Sequence, residues 1–160
     1  MKRLCLLSLI AILLLVVRSE EPVPQGFEHW TPAALQRSTQ ALAADAATDP
    51  HHFAVKQISD YPNEAFLLVR READGQPEWH ETQGDVFFVQ SGSATLIVGG
   101  TYLNGETVAP HEKRNGSIQG GTRQKLSAGD VVRIPARVPH QLVLDGAHEF
   151  TYFVIKVKGY

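Results

Sequence analysis

From Phe53 onward the chain alternates short apolar runs with polar breaks rich in Gly, Pro, Asn and Asp. The runs are FAVKQI (53–58), AFLLVRRE (65–72), DVFFVQ (85–90), SATLIVG (93–99), DVVRIP (130–135), HQLVLD (140–145) and EFTYFVIKV (149–157). Each is short and carries β-branched or aromatic residues between turn-forming ones, which predicts strands. No helical pattern separates them, so the expected architecture is all-β, a sandwich or barrel. Residues 101–123, rich in Gly, Thr and charge, predict an irregular surface excursion beside that barrel. One helix precedes the strands. Thr31 supplies an N-cap and Pro32 a first helical position; Leu35, Leu42 and the alanines through Ala47 continue it, and Asp49-Pro50 ends it. Its faces offer alanine rather than large apolar side chains, which suits close packing on the outside of the barrel or on a second subunit.

The first nineteen residues follow a different pattern. Lys2 and Arg3 precede an apolar run from Leu4 to Val17, which as a helix would span roughly 21 Å, short of the ~30 Å hydrocarbon core of a bilayer. A short apolar run behind two positive charges predicts a secretory signal peptide, with Val17-Arg18-Ser19 as the cleavage region. Arg18 is unusual at such a site, which keeps an uncleaved anchor as the alternative. The expected division is therefore residues 1–19 as leader, 20–52 as Pro-rich tether and helix, and 53–160 as the β-domain, in a secreted or periplasmic protein with no stable membrane span once the leader is removed. The single cysteine, Cys5, lies in the leader, so disulfides contribute nothing to the exported chain. Removing Lys2, Arg3 and Arg18 from 15 basic residues against 17 acidic ones leaves a mildly acidic chain without a basic cluster. That balance argues against nucleic acid as a partner.

Two stretches carry chemistry. PEWHETQGDVFFVQSG (77–92) places Glu78, His80 and Asp85 beside a strongly β-forming run, and GDVVRIPARVPH (129–140) delivers His140 from a proline-constrained loop. On a strand, alternate residues share a face, so Glu78 and His80 can point inward together while Trp79 and Glu81 face outward. From the residues alone, Glu78 is equally readable as a solvent-facing acid beside a turn, and His80 and His140 as histidines of a metal-free site.

Together these stretches resemble the two motifs of the cupin superfamily, small single-domain cupins of the type-2 kind, over roughly residues 53–157. The first motif, G-x5-H-x-H-x3-4-E-x6-G, is matched by His80, by Asp85 in the glutamate position and by the closing Gly92, with Glu78 standing where the first histidine belongs. Gly75 lies closer to the site than the motif's opening glycine. The second, G-x5-P-x-G-x2-H-x3-N, is matched by Gly129, Pro135 and His140, with Arg137 and Leu144 replacing Gly and Asn. The resemblance implies a double-stranded β-helix, or jelly-roll barrel, with a metal centre inside. Glu78, His80, Asp85 and His140 are then the expected ligands of one divalent transition metal (Fe, Mn, Ni, Zn or Cu). Two imidazoles and two carboxylates suit such an ion. A homodimer is expected, since cupins commonly pair through strands and N-terminal segments.

Around the site, Phe66, Phe87, Tyr152 and Val154 are candidates for an apolar lining, and Arg133 reads as a rim charge. His51-His52, His29, His111 and His148 read as loop or surface histidines. Three functional classes follow. The first is an exported metal-dependent cupin with oxygenase or isomerase chemistry on a small organic molecule. The second is a non-catalytic module binding a sugar or metabolite, and the third a metal-free structural cupin. One barrel hosts all of them, so the fold does not choose.

Overall fold

A computed structural model describes residues 21–160; the leader expected over residues 1–19 lies outside them. Helix α1 runs from Pro32 to Thr48, its first turn closed by Thr31 Oγ1, which accepts from the Ala34 N–H at 3.2 Å. Twelve strands follow: β1 (Phe53–Asp60), β2 (Glu64–Arg71), β3 (Trp79–His80), β4 (Gln83–Val98), β5 (Thr101–Leu103), β6 (Glu106–Ala109), β7 (Glu112–Arg114), β8 (Ser117–Gln119), β9 (Thr122–Ser127), β10 (Val131–Ile134), β11 (His140–Val143) and β12 (Phe150–Lys158). Among the described residues, no helix is long and apolar enough to cross a membrane.

One long strand organises the molecule. The runs DVFFVQ and SATLIVG, read as separate strands in the sequence, are the two halves of β4. Its first half lies between β12 and β10 in the antiparallel order β1-β2-β12-β4-β10, and its second half pairs with β9 and β11. Between the halves, Gln90 is bulged out, because Val89 pairs with Tyr152 and Ser91 with Thr151. Gly92 then takes φ +75°, and a Cβ there would meet the Glu149 carbonyl oxygen at 2.0 Å. The glycine thus bends a continuing strand instead of closing it, and only glycine fits. The two sheets enclose a core made by Val69, Phe87, Val89, Leu96, Leu126, Ile134, Leu142, Phe150, Tyr152 and Val154. This is the expected jelly-roll arrangement, although among the described residues no hydrogen-bonded pairing closes it into a complete ring.

A second apolar layer lies on the other face of the large sheet. There α1 lays Leu42 and Ala46 against Ala54, Leu68 and Phe153, with Trp30, Leu35, Phe66 and Phe88 packed around them. Full burial of a leucine such as Leu42, 2 % exposed, contributes about 1.5–3 kcal/mol. Phe66 belongs to this layer, its ring 5.0 Å from that of Trp30. It therefore does not line the interior, for which it was a candidate, because Leu67 and Val69 take the inward positions of β2. Residues 101–123 are also more ordered than expected. Strands β5 and β8 form one ribbon, and β6 and β7 join β3 in a small sheet. Their runs are too short and polar to show a hydrophobic period, and pairing alone defines them.

Candidate metal centre

Backbone pairing assembles the site. Glu78 and His140 exchange both hydrogen bonds of an isolated antiparallel bridge, at 2.8 and 3.0 Å, which sets their side chains next to one another. His80 follows in β3, on the same face as Glu78 by alternation. Asp85 in β4 stands directly opposite Lys156 in β12, so these two side chains also share a face. The loop from Pro135 to Pro139 is tied to β3 by the Arg137 N–H, which donates to the His80 carbonyl at 2.7 Å. Glu78, His80 and His140 offer donor atoms that all lie within 4.8 Å of one another, and all three residues are buried. Asp85, 1 % exposed, borders this group: its Oδ2 is 3.6 Å from His80 Nε2 and 3.4 Å from His140 Nε2. His80 Nε2 is in turn 3.5 Å from Glu78 Oε2. The structure thus brings all four expected residues together, Glu78, Asp85 and His140 on the wall of a cavity and His80 beside them, while Trp79 turns away and has the Lys113 ammonium 5.3 Å from its ring centre.

These spacings suit a cation. Tetrahedral donors about 2.1 Å from an ion stand about 3.4 Å apart, close to the three separations above. His140 Nδ1 lies 3.1 Å from the Val138 carbonyl oxygen. A carbonyl can only accept, so Nδ1 carries a proton, and Nε2, turned toward the carboxylates, is the nitrogen left to ligate a metal. Asp85 Oδ1 is buried and accepts no aligned hydrogen bond, its one charged neighbour being the Lys156 ammonium at 2.9 Å. The donor set therefore fits a divalent first-row ion.

Three cations that the sequence reading did not include surround the donors. Lys156 Nζ lies 2.9 Å from each Asp85 oxygen, donating to Oδ2, and 3.1 Å from His80 Nε2. Arg71 Nη2 and Arg114 Nη1 approach Glu78 Oε1 at 3.0 and 3.1 Å, leaving Oε2 toward the histidines. Glu112 in turn holds Arg114, at 2.5 Å from its Nη2. Burial would raise the Glu78 carboxyl, but His80, Arg114, His140 and Lys156 outweigh it and hold the group well below the usual carboxylate range. Burial likewise opposes ionisation of Asp85, and His140 and Lys156 reverse it. Lys156 and Arg71 were recoverable from strand alternation, since they continue the inward series Tyr152, Val154 and Leu67, Val69. Arg114 was not, because the pairing of β7 with β3 brings it in.

The wall bounds an interior cavity of about 240 Å³, lined by Phe53, Leu67, Phe87, Leu142, Tyr152 and Val154 beside the charged groups. Phe87, Tyr152 and Val154, candidates for the lining, do line it and belong to the core cluster as well. Arg133 is exposed and does not line the cavity; its Nη2 donates to the Tyr160 hydroxyl at 2.7 Å. His111 is exposed and pairs with Glu81 at 2.7 Å, both outside the site.

Neither a protein-family model nor a curated protein sequence matches the chain. Similar solved structures include a RmlC-like cupin family protein with a double-stranded β-helix fold from Methanocaldococcus jannaschii, at 12% identity and TM-score 0.49 over 70% of this chain and 85% of that one. A Cupin 2 conserved barrel domain protein from Salinispora arenicola is 17% identical, with TM-score 0.46 over 68% of this chain and 77% of that one. The Cnp3 cupin domain of Schizosaccharomyces pombe is 11% identical, with TM-score 0.49 over 66% and 64%. In fold, the chain is similar to structures of the cupin family.

Proposed function

We propose that this chain is an exported, metal-dependent cupin-type enzyme that holds one divalent transition metal at Glu78, His80, Asp85 and His140. It acts there on a small organic molecule, in oxygenase or isomerase chemistry. The observation that carries this reading is the buried group Glu78, His80 and His140, with Asp85 bordering it and His140 Nδ1 directed at the Val138 carbonyl. When bound, the ion would supply Lewis acidity or a site for oxygen. Arg71 and Arg114 orient Glu78 so that Oε2 faces the histidines. Burial raises the Tyr152 phenol above its usual range, which keeps its proton in place at the cavity wall. The apolar lining keeps water from a bound ligand. Export is inferred from the leader pattern, and a homodimer from the resemblance and from the alanine-rich helix.

Lys156 favours a second reading, a metal-free ligand-binding or structural cupin. Its ammonium contacts Asp85 and His80 where an ion would sit, and it can serve as their permanent counter-charge. Elemental analysis decides between the two. Protein purified without chelators and offered iron, manganese, nickel, copper and zinc should retain one of them at about one ion per chain. Retention of none would refute the metal-dependent reading and leave the second.

A further inference from the structure

We propose that the interior cavity binds a small organic carboxylate, its carboxylate group seated on Arg71 and Tyr152 beside Arg114. The inference rests on the metal-dependent reading for part of its charge argument and names the substrate class of that same site. Without an ion the wall is balanced: Arg71, Arg114 and Lys156 face Glu78, Glu112 and Asp85 in close pairs. A divalent ion added to the four donors leaves two uncompensated positive charges in an enclosed, largely apolar space. Unpaired buried charge is costly, so the preferred ligand is one that brings negative charge.

The geometry says where that charge goes. Arg71 is 8 % exposed; its Nε donates to the Tyr152 hydroxyl at 3.4 Å, its Nη2 to Glu78, and its guanidinium carbon lies 4.6 Å from the Phe53 ring centre. Its Nη1 makes no hydrogen bond among the described residues. Gly75 leaves room for that group, since a Cβ there would come within 2.9 Å of Nη1. The Tyr152 oxygen accepts from Arg71, and its own proton meets no acceptor among the described residues. Arg71 and Tyr152 both line the cavity, and a guanidinium and a phenol, both donors, complement the oxygens of a carboxylate. Phe53, Leu67, Phe87 and Val154 enclose the remaining space, which suits a compact hydrocarbon body and gives a polyol no partners. An ammonium ligand would add to the two uncompensated charges of the ion-bound wall, and inorganic phosphate would leave the apolar wall uncovered.

Paired probes that differ only in charge test this. Benzoate, 2-oxobutanoate and glycolate, each beside its own amide, are titrated calorimetrically into the purified protein, with metal content measured on the same samples. At least one acid should bind about tenfold more tightly than its amide, the scale of hydrogen bonds to a charged group. Arg71→Gln should largely abolish that preference. Because Arg71 is buried and its variant can fail to fold, Tyr152→Phe, which keeps the ring, gives a second reading: acid affinity falls about fivefold and amide affinity stays. The proposal is overturned if no acid is preferred over its amide, if phosphate competes as well as the acids, or if both variants bind acids like the wild type. A metal-loaded protein indifferent to the acids refutes this inference alone. Acid preference without any bound metal refutes only the metal-dependent reading.

Discussion

The two faces of the β2–β12–β4 sheet are built from the same strands and do opposite work. On β12, Phe153 and Ile155 face α1 while Tyr152, Val154 and Lys156 face the cavity. On β4, Phe88 turns to the helix layer, and Asp85 and Phe87 turn inward. The outer face is apolar where α1 covers it, closed by Leu42, Trp30 and Phe66, and carries the Arg70–Thr151–Glu149 network beyond that layer. The inner face is apolar at its far end and charged where β3, β7 and β11 approach. Folding free energy therefore accumulates on one side, where contacts are dry and additive. The other side carries buried charges whose net contribution to stability is small even when paired. A protein arranged this way can change the chemistry of its interior while the helix-covered face holds the strands in place.

The largest expected effect separates the faces. Phe153→Ala empties the centre of the outer layer and should cost about 3–5 kcal/mol of stability in chemical denaturation, with metal content per folded chain unchanged. His80→Ala and His140→Ala should do the reverse, removing stoichiometric metal while the circular dichroism of the strands persists. Glu78→Ala should weaken metal binding less than either histidine variant, because Oε1 is already committed to two arginines. Full metal occupancy in both histidine variants would place the ion elsewhere, and loss of fold in them would break the division between the faces.

Lys156→Met sharpens the comparison from the inner side. It leaves Asp85 buried without its cation, which should destabilise the metal-free protein by on the order of 3 kcal/mol. It also removes the group that competes with an ion for Asp85 and His80. Metal affinity should consequently rise about tenfold or more, and saturating metal should recover much of the lost stability through binding to the folded state. Metal titrations followed by thermal unfolding measure both. A variant that binds metal less tightly than the wild type would show that Lys156 assists the centre instead of competing with it.

The main strand runs and helix α1 were largely legible in the sequence, the strand order was not, and the inner face was legible only in part. Strands show themselves through β-branched and aromatic runs, and α1 through Thr31-Pro32 and Asp49-Pro50, because these signals are local. Glu78, His80, Asp85 and His140 stood out by spacing within two motifs. Lys156 and Arg71 were legible in principle, since alternation places them inward, but a charged residue at the end of a strand ordinarily signals solvent. Arg114 and Glu112 arrive through β7, a three-residue strand without periodicity, so only tertiary pairing reveals them. Likewise, the two halves of β4 read as two strands because Gly92 marks a turn and a bend equally well.

The smallest effect tests a loop that serves the inner face. Arg137 occupies φ +64°, in the left-handed region, at the position where the resembling motif has glycine. Helix α1 contains no such residue, whereas the turns and loops of the β-domain contain several, including His52, Arg137 and Asp145. The left-handed conformation costs a residue with a Cβ about 1–2 kcal/mol. The hydrogen bond from the Arg137 N–H to the His80 carbonyl holds the loop there nonetheless, and glycine would keep that bond. Glycine also brings more freedom to the unfolded chain, worth roughly 0.5–1 kcal/mol. Arg137→Gly should thus stabilise the protein by only about 0.5 kcal/mol, a rise of a few degrees or less in Tm, with metal binding unchanged. Arg137→Ala keeps the Cβ strain and should show no such gain. If both variants lowered Tm equally, the arginine side chain would be contributing contacts that outweigh its backbone strain, and the loop would belong with the outer layer as a source of stability.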